Sequence, residues 1–227
     1  NNFTYQSIDG RTINVDLYGT SYLSEYKTRT LSVLRELEND YGVWPHEGLV
    51  IYGAGSGGME YCGATITSLR ALGHELIHSY FARGVMSARG NSGWMDEAIA
   101  SWRDSNYRRR TLGELQVTKM AGHSIYRRTT DRAAYTKGAR FMGYLDTLFL
   151  QQGGLKKFLK SYFTERKLTP VLTSTFQDDL ELFFNHDLDD LFNPFIYGKA
   201  STESHDLIHP ENPFHPEMTD QDMLNLL

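Results

Sequence analysis

His74–Glu75–Leu76–Ile77–His78 is the stretch on which the reading of this chain turns. Residues four apart on a helix lie one above the other on the same face. Two imidazoles so placed can reach one tetrahedral metal ion, with Zn–N distances of about 2.0–2.1 Å. Glu75, about 100° round the helix from His74, stays out of the ligand set yet close enough to touch a metal-bound water. Around this core, Leu69, Leu72, Leu76, Ile77 and Tyr80 make an apolar face. The same pattern also suits an amphipathic core helix whose two histidines are merely polar, so a third ligand has to decide.

Eighteen residues separate His78 from Glu97, in Trp94–Met95–Asp96–Glu97–Ala98–Ile99–Ala100. This is a second helical pattern, in which Trp94, Ala98, Ile99 and Trp102 form the packed side. A carboxylate held between apolar helices is costly unless a cation or metal compensates it. Two His and one carboxylate with one open position is a catalytic zinc set. The alternative for Glu97 is a surface acid at a helix N-terminus. A third His six residues after His78 would make another class of zinc peptidase, but that position is Gly84.

The 227 residues carry 23 basic and 28 acidic side chains. The whole excess of acid falls in the segment from Lys199 to Leu227, which leaves residues 1–198 neutral. A neutral body with an acidic tail has no electrostatic footprint for nucleic acid, and no nucleic-acid partner is expected. Arg108–Arg109–Arg110 reads as a solvated helix end. There is no run of 18 or more apolar residues, so no membrane-spanning helix is predicted. The single cysteine, Cys62, excludes an internal disulfide framework and reads as a small packed residue. The other histidines lie off the motif and read as surface or capping residues. The chain starts at Asn1 without a leader of its own, and a secreted or periplasmic protein whose leader has been removed is the expectation.

Strand patterns come first. Ile8, Asp9–Gly10 and the alternation Ile13, Val15, Leu17 predict a hairpin with a tight primed turn. Leu23 to Tyr41 recurs at helical spacing and ends at Gly42. Leu49–Tyr52 predicts a buried strand, the glycines at 53, 55, 57 and 58 a loop, and Met59–Thr67 extended chain. Helices are predicted near 68–83, 94–109, 131–151, 154–164, 174–185 and 187–195. Strands followed by helices give an α+β architecture with a small mixed sheet in an N-terminal lobe and a mainly helical C-terminal lobe. Residues 1–198 form the catalytic domain in this reading, and 199–227 an acidic tail that is dispensable for metal binding.

Three further stretches carry a resemblance. Gly57–Gly58–Met59–Glu60–Tyr61 precedes the zinc helix. Tyr135–Thr136–Lys137–Gly138 follows Glu97. Asp179–Leu180–Glu181–Leu182–Phe183–Phe184 is aromatic-rich. With the zinc pattern, these residues resemble the catalytic domain of the gluzincin aminopeptidases, of the aminopeptidase N or alanyl aminopeptidase type, over about residues 48–198. The resemblance implies a thermolysin-like zinc peptidase domain with one Zn²⁺ per chain, held by His74, His78 and Glu97. It implies Glu75 as general base and Tyr135 as hydrogen-bond donor to the oxyanion. Gly57, Gly58, Met59 and Glu60 would bind a peptide substrate, the strand pairing with its backbone and Glu60 receiving its α-ammonium.

Some residues depart from the family pattern. Tyr61 stands where Asn is usual, Ala98 where Gly is common, and Tyr135 follows Glu97 more closely than in typical members. The large N-terminal β domain and C-terminal helical domain of full-length members are absent from this chain, so further domains are expected beyond it. An aminopeptidase releasing N-terminal residues is the first expectation. An endopeptidase with the same zinc chemistry is the second, and a catalytically silent binding scaffold the third. The retention of His74, Glu75, His78, Glu97 and Tyr135 argues against the scaffold.

Overall fold

The computed structural model describes residues 1–199. Apart from Lys199, the predicted acidic tail lies outside the described residues. The described residues divide into two compact units, Asn1–Met86 with Leu159–Pro170, and Ser87–Phe158 with 171–199. The architecture is mixed α/β, with a small sheet and about seven helices among the described residues.

The first unit holds five strands, β1 (Asn2–Gln6), β2 (Thr12–Tyr18), β3 (Gly48–Gly53), β4 (Gly58–Tyr61) and β5 (Ala64–Thr67), in the order β1-β2-β3-β5-β4. The pairs β2–β3 and β3–β5 are parallel; β1 and β4 pair antiparallel with β2 and β5. The predicted alternation in β2 is real: Ile13, Val15 and Leu17 are buried, beside Leu49 and Ile51 of β3. Helix α1 (Leu23–Tyr41) supplies Val33, Leu34, Leu37 and Tyr41 to the core, and Gly42 ends it with φ of 105°. Only glycine takes that conformation without strain.

Glu38 ties this unit together. Its fully buried carboxylate accepts hydrogen bonds from the Tyr5 hydroxyl (2.7 Å), the Ile8 amide (3.0 Å), the Trp44 amide (2.8 Å) and the Ser7 hydroxyl. A buried carboxylate is tolerable only with such donors. Burial first, then the adjacent Glu38 carboxylate, pushes the Tyr5 hydroxyl pKa well up.

Two local expectations need correcting. The first hairpin does not close on a tight primed turn. The Gly10 amide donates to the Ser7 carbonyl (3.0 Å), the Ser7 amide to the Arg11 carbonyl (2.9 Å), and Gly10 adopts φ of 86°. The turn is thus Ser7–Gly10, with the left-handed glycine as its fourth residue, and Ile8 is exposed on it. Cys62, read as packed, is exposed in the turn between β4 and β5.

The second unit is helical: α3 (Trp94–Asp104), α4 (Ala139–Leu148), the first turns of α5 (Gly154–Arg166), α6 (Thr173–Phe184) and α7 (Asp189–Phe192). Its core is aromatic. Trp94 meets Phe141 and Phe176 edge-on at 6.2 Å each, and Phe141 meets Phe192 at 5.3 Å. Tilted and edge-to-face pairs of this kind are the favoured ring geometry. Helix α3 stops five residues before the predicted 109, because Asn106 and Tyr107 take left-handed φ of 59° and 55°. The Tyr107 amide there donates back to the Trp102 carbonyl (3.0 Å). The predicted helix 131–151 is present, and its first part, Ala134–Gly138, is a wide, π-type turn that runs into α4.

Candidate metal centre and peptide-binding strand

Helix α2 (Leu72–Phe81) carries His74, Glu75 and His78. It is shorter than the predicted 68–83. At its start the Ser68 hydroxyl accepts the Ala71 amide (3.3 Å). At its end the Ala82 and Arg83 amides both close on the His78 carbonyl (2.9 and 2.8 Å). The Tyr80 hydroxyl donates to the Gly42 carbonyl (2.8 Å) and so fixes the helix against the end of α1. Every residue from Leu72 to Phe81 is buried except His74, which is half-buried.

His74 and His78 stand one turn apart on this helix, ring centroids 4.9 Å apart and planes inclined at 79°. Two imidazoles on one tetrahedral zinc, at Zn–N of about 2.0–2.1 Å, would hold their ring centres about 5 Å apart. The pair therefore fits the ion that its donor chemistry calls for. Glu75 is almost fully buried beside it.

Among the described residues, strand β4 lies at the edge of the sheet and pairs only with β5. Its period-2 alternation sorts the predicted substrate residues by face. Gly58 and Glu60 face α2, while the Met59 and Tyr61 side chains are exposed. At Gly58 the approach of strand to helix is so close that a Cβ would collide with the Glu75 carboxyl group. Glycine is the only residue that lets this strand lie over the helix with Glu75 where it is. Gly57, at φ of 68°, turns the chain into β4 and accepts the Ser68 amide (3.0 Å).

Glu60 reaches the same place. Ligand atoms of Glu60, Glu75 and His78 all lie within 4.8 Å of one another. Two carboxylates so close need a compensating charge, and Arg83 provides it. Its Nη2 donates to Glu60 Oε1 and to the Glu60 carbonyl, at 3.0 Å each.

The second unit carries Glu97 and Tyr135. Glu97 sits in the first turn of α3, and the Tyr135 hydroxyl donates to Glu97 Oε1 at 2.6 Å, a short, charge-assisted bond. Tyr135 is presented by the π-type turn, a feature frequent at functional sites. That turn is seated by Gly138, whose Cβ position falls 2.8 Å from the Ala98 Cβ and 3.4 Å from Met120 Sδ. Small residues at 98 and 138 let the turn and the helix approach closely. The start of the turn is set by Asp131, whose carboxylate accepts the Ala133 amide (2.9 Å) and pairs with Arg127 (3.0 Å). Nearby, the Thr130 hydroxyl donates to the Gly93 carbonyl just ahead of α3 (3.2 Å).

Of the predicted site residues, the first unit thus gathers His74, Glu75, His78, Gly58 and Glu60, and turns the Met59 side chain away. The second unit joins Glu97 to Tyr135. Arg83 and the Gly138–Ala98 contact were not anticipated. A lone arginine past a helix end reads as a solvated cation, and only the fold shows Glu60, 23 positions away, beside it.

No family model and no curated protein matches the chain. Solved structures do. The M1 zinc metallopeptidase of Deinococcus radiodurans, bound to a Tyr-Ser-Ala substrate, superposes with a TM-score of 0.71 at 16% identity, over 88% of this chain and 52% of that one. This chain has the M1 zinc metallopeptidase fold. Aminopeptidase A of Legionella pneumophila matches with a TM-score of 0.66 at 15% identity, over 86% of this chain and 28% of that one. Yeast LTA4 hydrolase in complex with bestatin matches at 0.58 and 14%, over 84% and 38%. The chain spans about half the length of the Deinococcus protein. No helix of the described residues is long and apolar enough to cross a membrane.

Proposed function

We propose that this chain is the thermolysin-like catalytic part of a zinc metallopeptidase that hydrolyses peptide bonds, with one Zn²⁺ per chain held by His74, His78 and Glu97. The observation that carries the proposal is the helix turn bearing His74 and His78 with Glu75 lodged between it and the open edge of β4. The fold likeness to zinc peptidases supports it.

When bound, zinc supplies a Lewis acid that polarises the scissile carbonyl and lowers the pKa of a water. The chain's own residues do the rest. Glu75 accepts the proton of the attacking water and passes it to the leaving amine nitrogen as the C–N bond breaks. It is buried, and Gly58, having no side chain, leaves the carboxyl group its place beside β4. The Tyr135 hydroxyl, held at the edge of Glu97, donates to the developing oxyanion. Its bond to Glu97 also orients the ligand carboxylate, as outer-shell partners of metal ligands do. The free edge of β4 offers backbone groups to an extended peptide, which would add as a further strand.

Release of N-terminal residues is the finer reading, suggested by the aminopeptidase title among the neighbours and by Glu60. One observation favours the second reading, cleavage without regard to a free amine: Glu60 is already paired with Arg83.

The test is Glu75→Gln. It should retain about one zinc per chain and lose peptide hydrolysis, because the near-isosteric amide cannot accept the proton. Hydrolysis at the wild-type rate would overturn the proposal.

A further inference from the structure

Arg83 decides what Glu60 can bind. Its placement is rigid rather than incidental. The Arg83 amide is fixed to the His78 carbonyl at the end of α2 (2.8 Å). The next residue, Gly84, has no room for a side chain, since its Cβ position falls 2.6 Å from the Phe163 ring and 2.6 Å from the Tyr80 carbonyl. From this anchor one guanidinium nitrogen holds both the side chain and the backbone of Glu60, at 3.0 Å each. The pair is partly buried, with Glu60's side chain 20% and Arg83's 35% exposed.

An incoming α-ammonium would meet a carboxylate that is already neutralised, with a fixed positive charge about one hydrogen bond away. To bind Glu60 Oε1 it would have to compete with the Arg83 guanidinium, and at either oxygen it would meet the repulsion of that fixed positive charge. Glu75, the carboxylate grouped with Glu60 and His78 among the described residues, is committed to the proton relay. We propose that Arg83 is a specificity-determining residue that cancels the ammonium anchor. The site then takes peptides with neutral, acylated N-termini, and internal peptide bonds, on a par with free N-termini. This rests on the zinc-peptidase reading and replaces its exopeptidase refinement.

The experiment uses one extended peptide in free and N-acetylated forms. Binding of each is measured by calorimetry on the zinc-loaded Glu75→Gln chain, and kcat/KM on the wild type. The expected ratio of free to acetylated binding is within about threefold. Adding Arg83→Gln should raise that ratio by roughly 10- to 100-fold, the worth of one charge-assisted hydrogen bond. The thermal midpoint shows whether that variant is folded; if it is not, the ratio in the Glu75→Gln chain alone decides. A preference of tenfold or more for the free peptide with Arg83 in place overturns the inference and leaves the peptidase reading standing. Absence of both zinc and hydrolysis overturns the two together.

Discussion

Gly58→Ala is the substitution whose effect follows most directly from the geometry. The new Cβ would stand 2.6 Å from Glu75 Cγ, and nearer still to the carboxyl carbon and oxygen, whereas an ordinary contact begins at 3.4 Å. Cγ alone must recede by about 0.8 Å, and the carboxyl oxygens by more. Either Glu75 rotates, at about 0.5–1.5 kcal/mol for an off-rotamer side chain, or β4 lifts away from α2. Each response moves the base about 1 Å from its position. A misplacement of that size costs about 10²-fold in turnover. Stability should change little. Gly58 is exposed on an edge strand with an ordinary φ, so alanine gains about 0.4–1 kcal/mol from the unfolded chain, roughly offsetting the strain. The assay is kcat on a peptide substrate beside zinc content and thermal midpoint. The reasoning predicts kcat lower by about 10²-fold with zinc and midpoint retained. Wild-type kcat in a folded, zinc-bearing Gly58→Ala protein would refute it.

Other perturbations separate the remaining roles. Tyr135→Phe, which removes the hydroxyl on Glu97, should lower kcat by about 10²–10³ with KM little changed and zinc retained; unchanged kcat would exclude the role. Gly138→Ala should cost about 1–3 kcal/mol in chemical denaturation through overpacking against Ala98. No loss of stability would show that the close approach is not required. His46 has its pKa pushed down by burial first and by the Lys167 charge second. Its contribution to stability is therefore complete above the unfolded value of about 6.5 and is lost as pH falls from there through the lowered one. Between pH 7.5 and 5.5 the thermal midpoint should fall less in His46→Phe than in the wild type.

What the sequence made legible was local and periodic. The alternation of Ile13, Val15 and Leu17, the helical spacing from Leu23 to Tyr41 and the five-residue motif at His74 each depend on neighbours a few positions away. The errors lie where a distant partner or an unusual backbone decides. Asn106 and Tyr107 end α3 in left-handed conformations that no glycine announces. The helix predicted from 131 opens on a π-type turn at Ala134–Gly138, because Tyr135 and Gly138 pack on α3. Glu38 is a helical residue in the sequence and a buried hub in the fold, its donors coming from as far as 33 positions away. At the candidate site, His74, Glu75 and His78 were legible as a set. Glu97 with Tyr135 was legible as two roles but not as one hydrogen bond. Arg83 was silent, because a cation after a helix end fits the helix dipole whether or not it has a carboxylate to meet.

The central claim is a zinc ion on His74, His78 and Glu97. Metal analysis of the purified chain after dialysis, read against its His78→Ala variant, tests it most directly. About one zinc per wild-type chain, falling close to zero without the His78 imidazole, is the predicted result. A wild-type chain that keeps no zinc, or a variant that keeps as much as the wild type, would contradict the account.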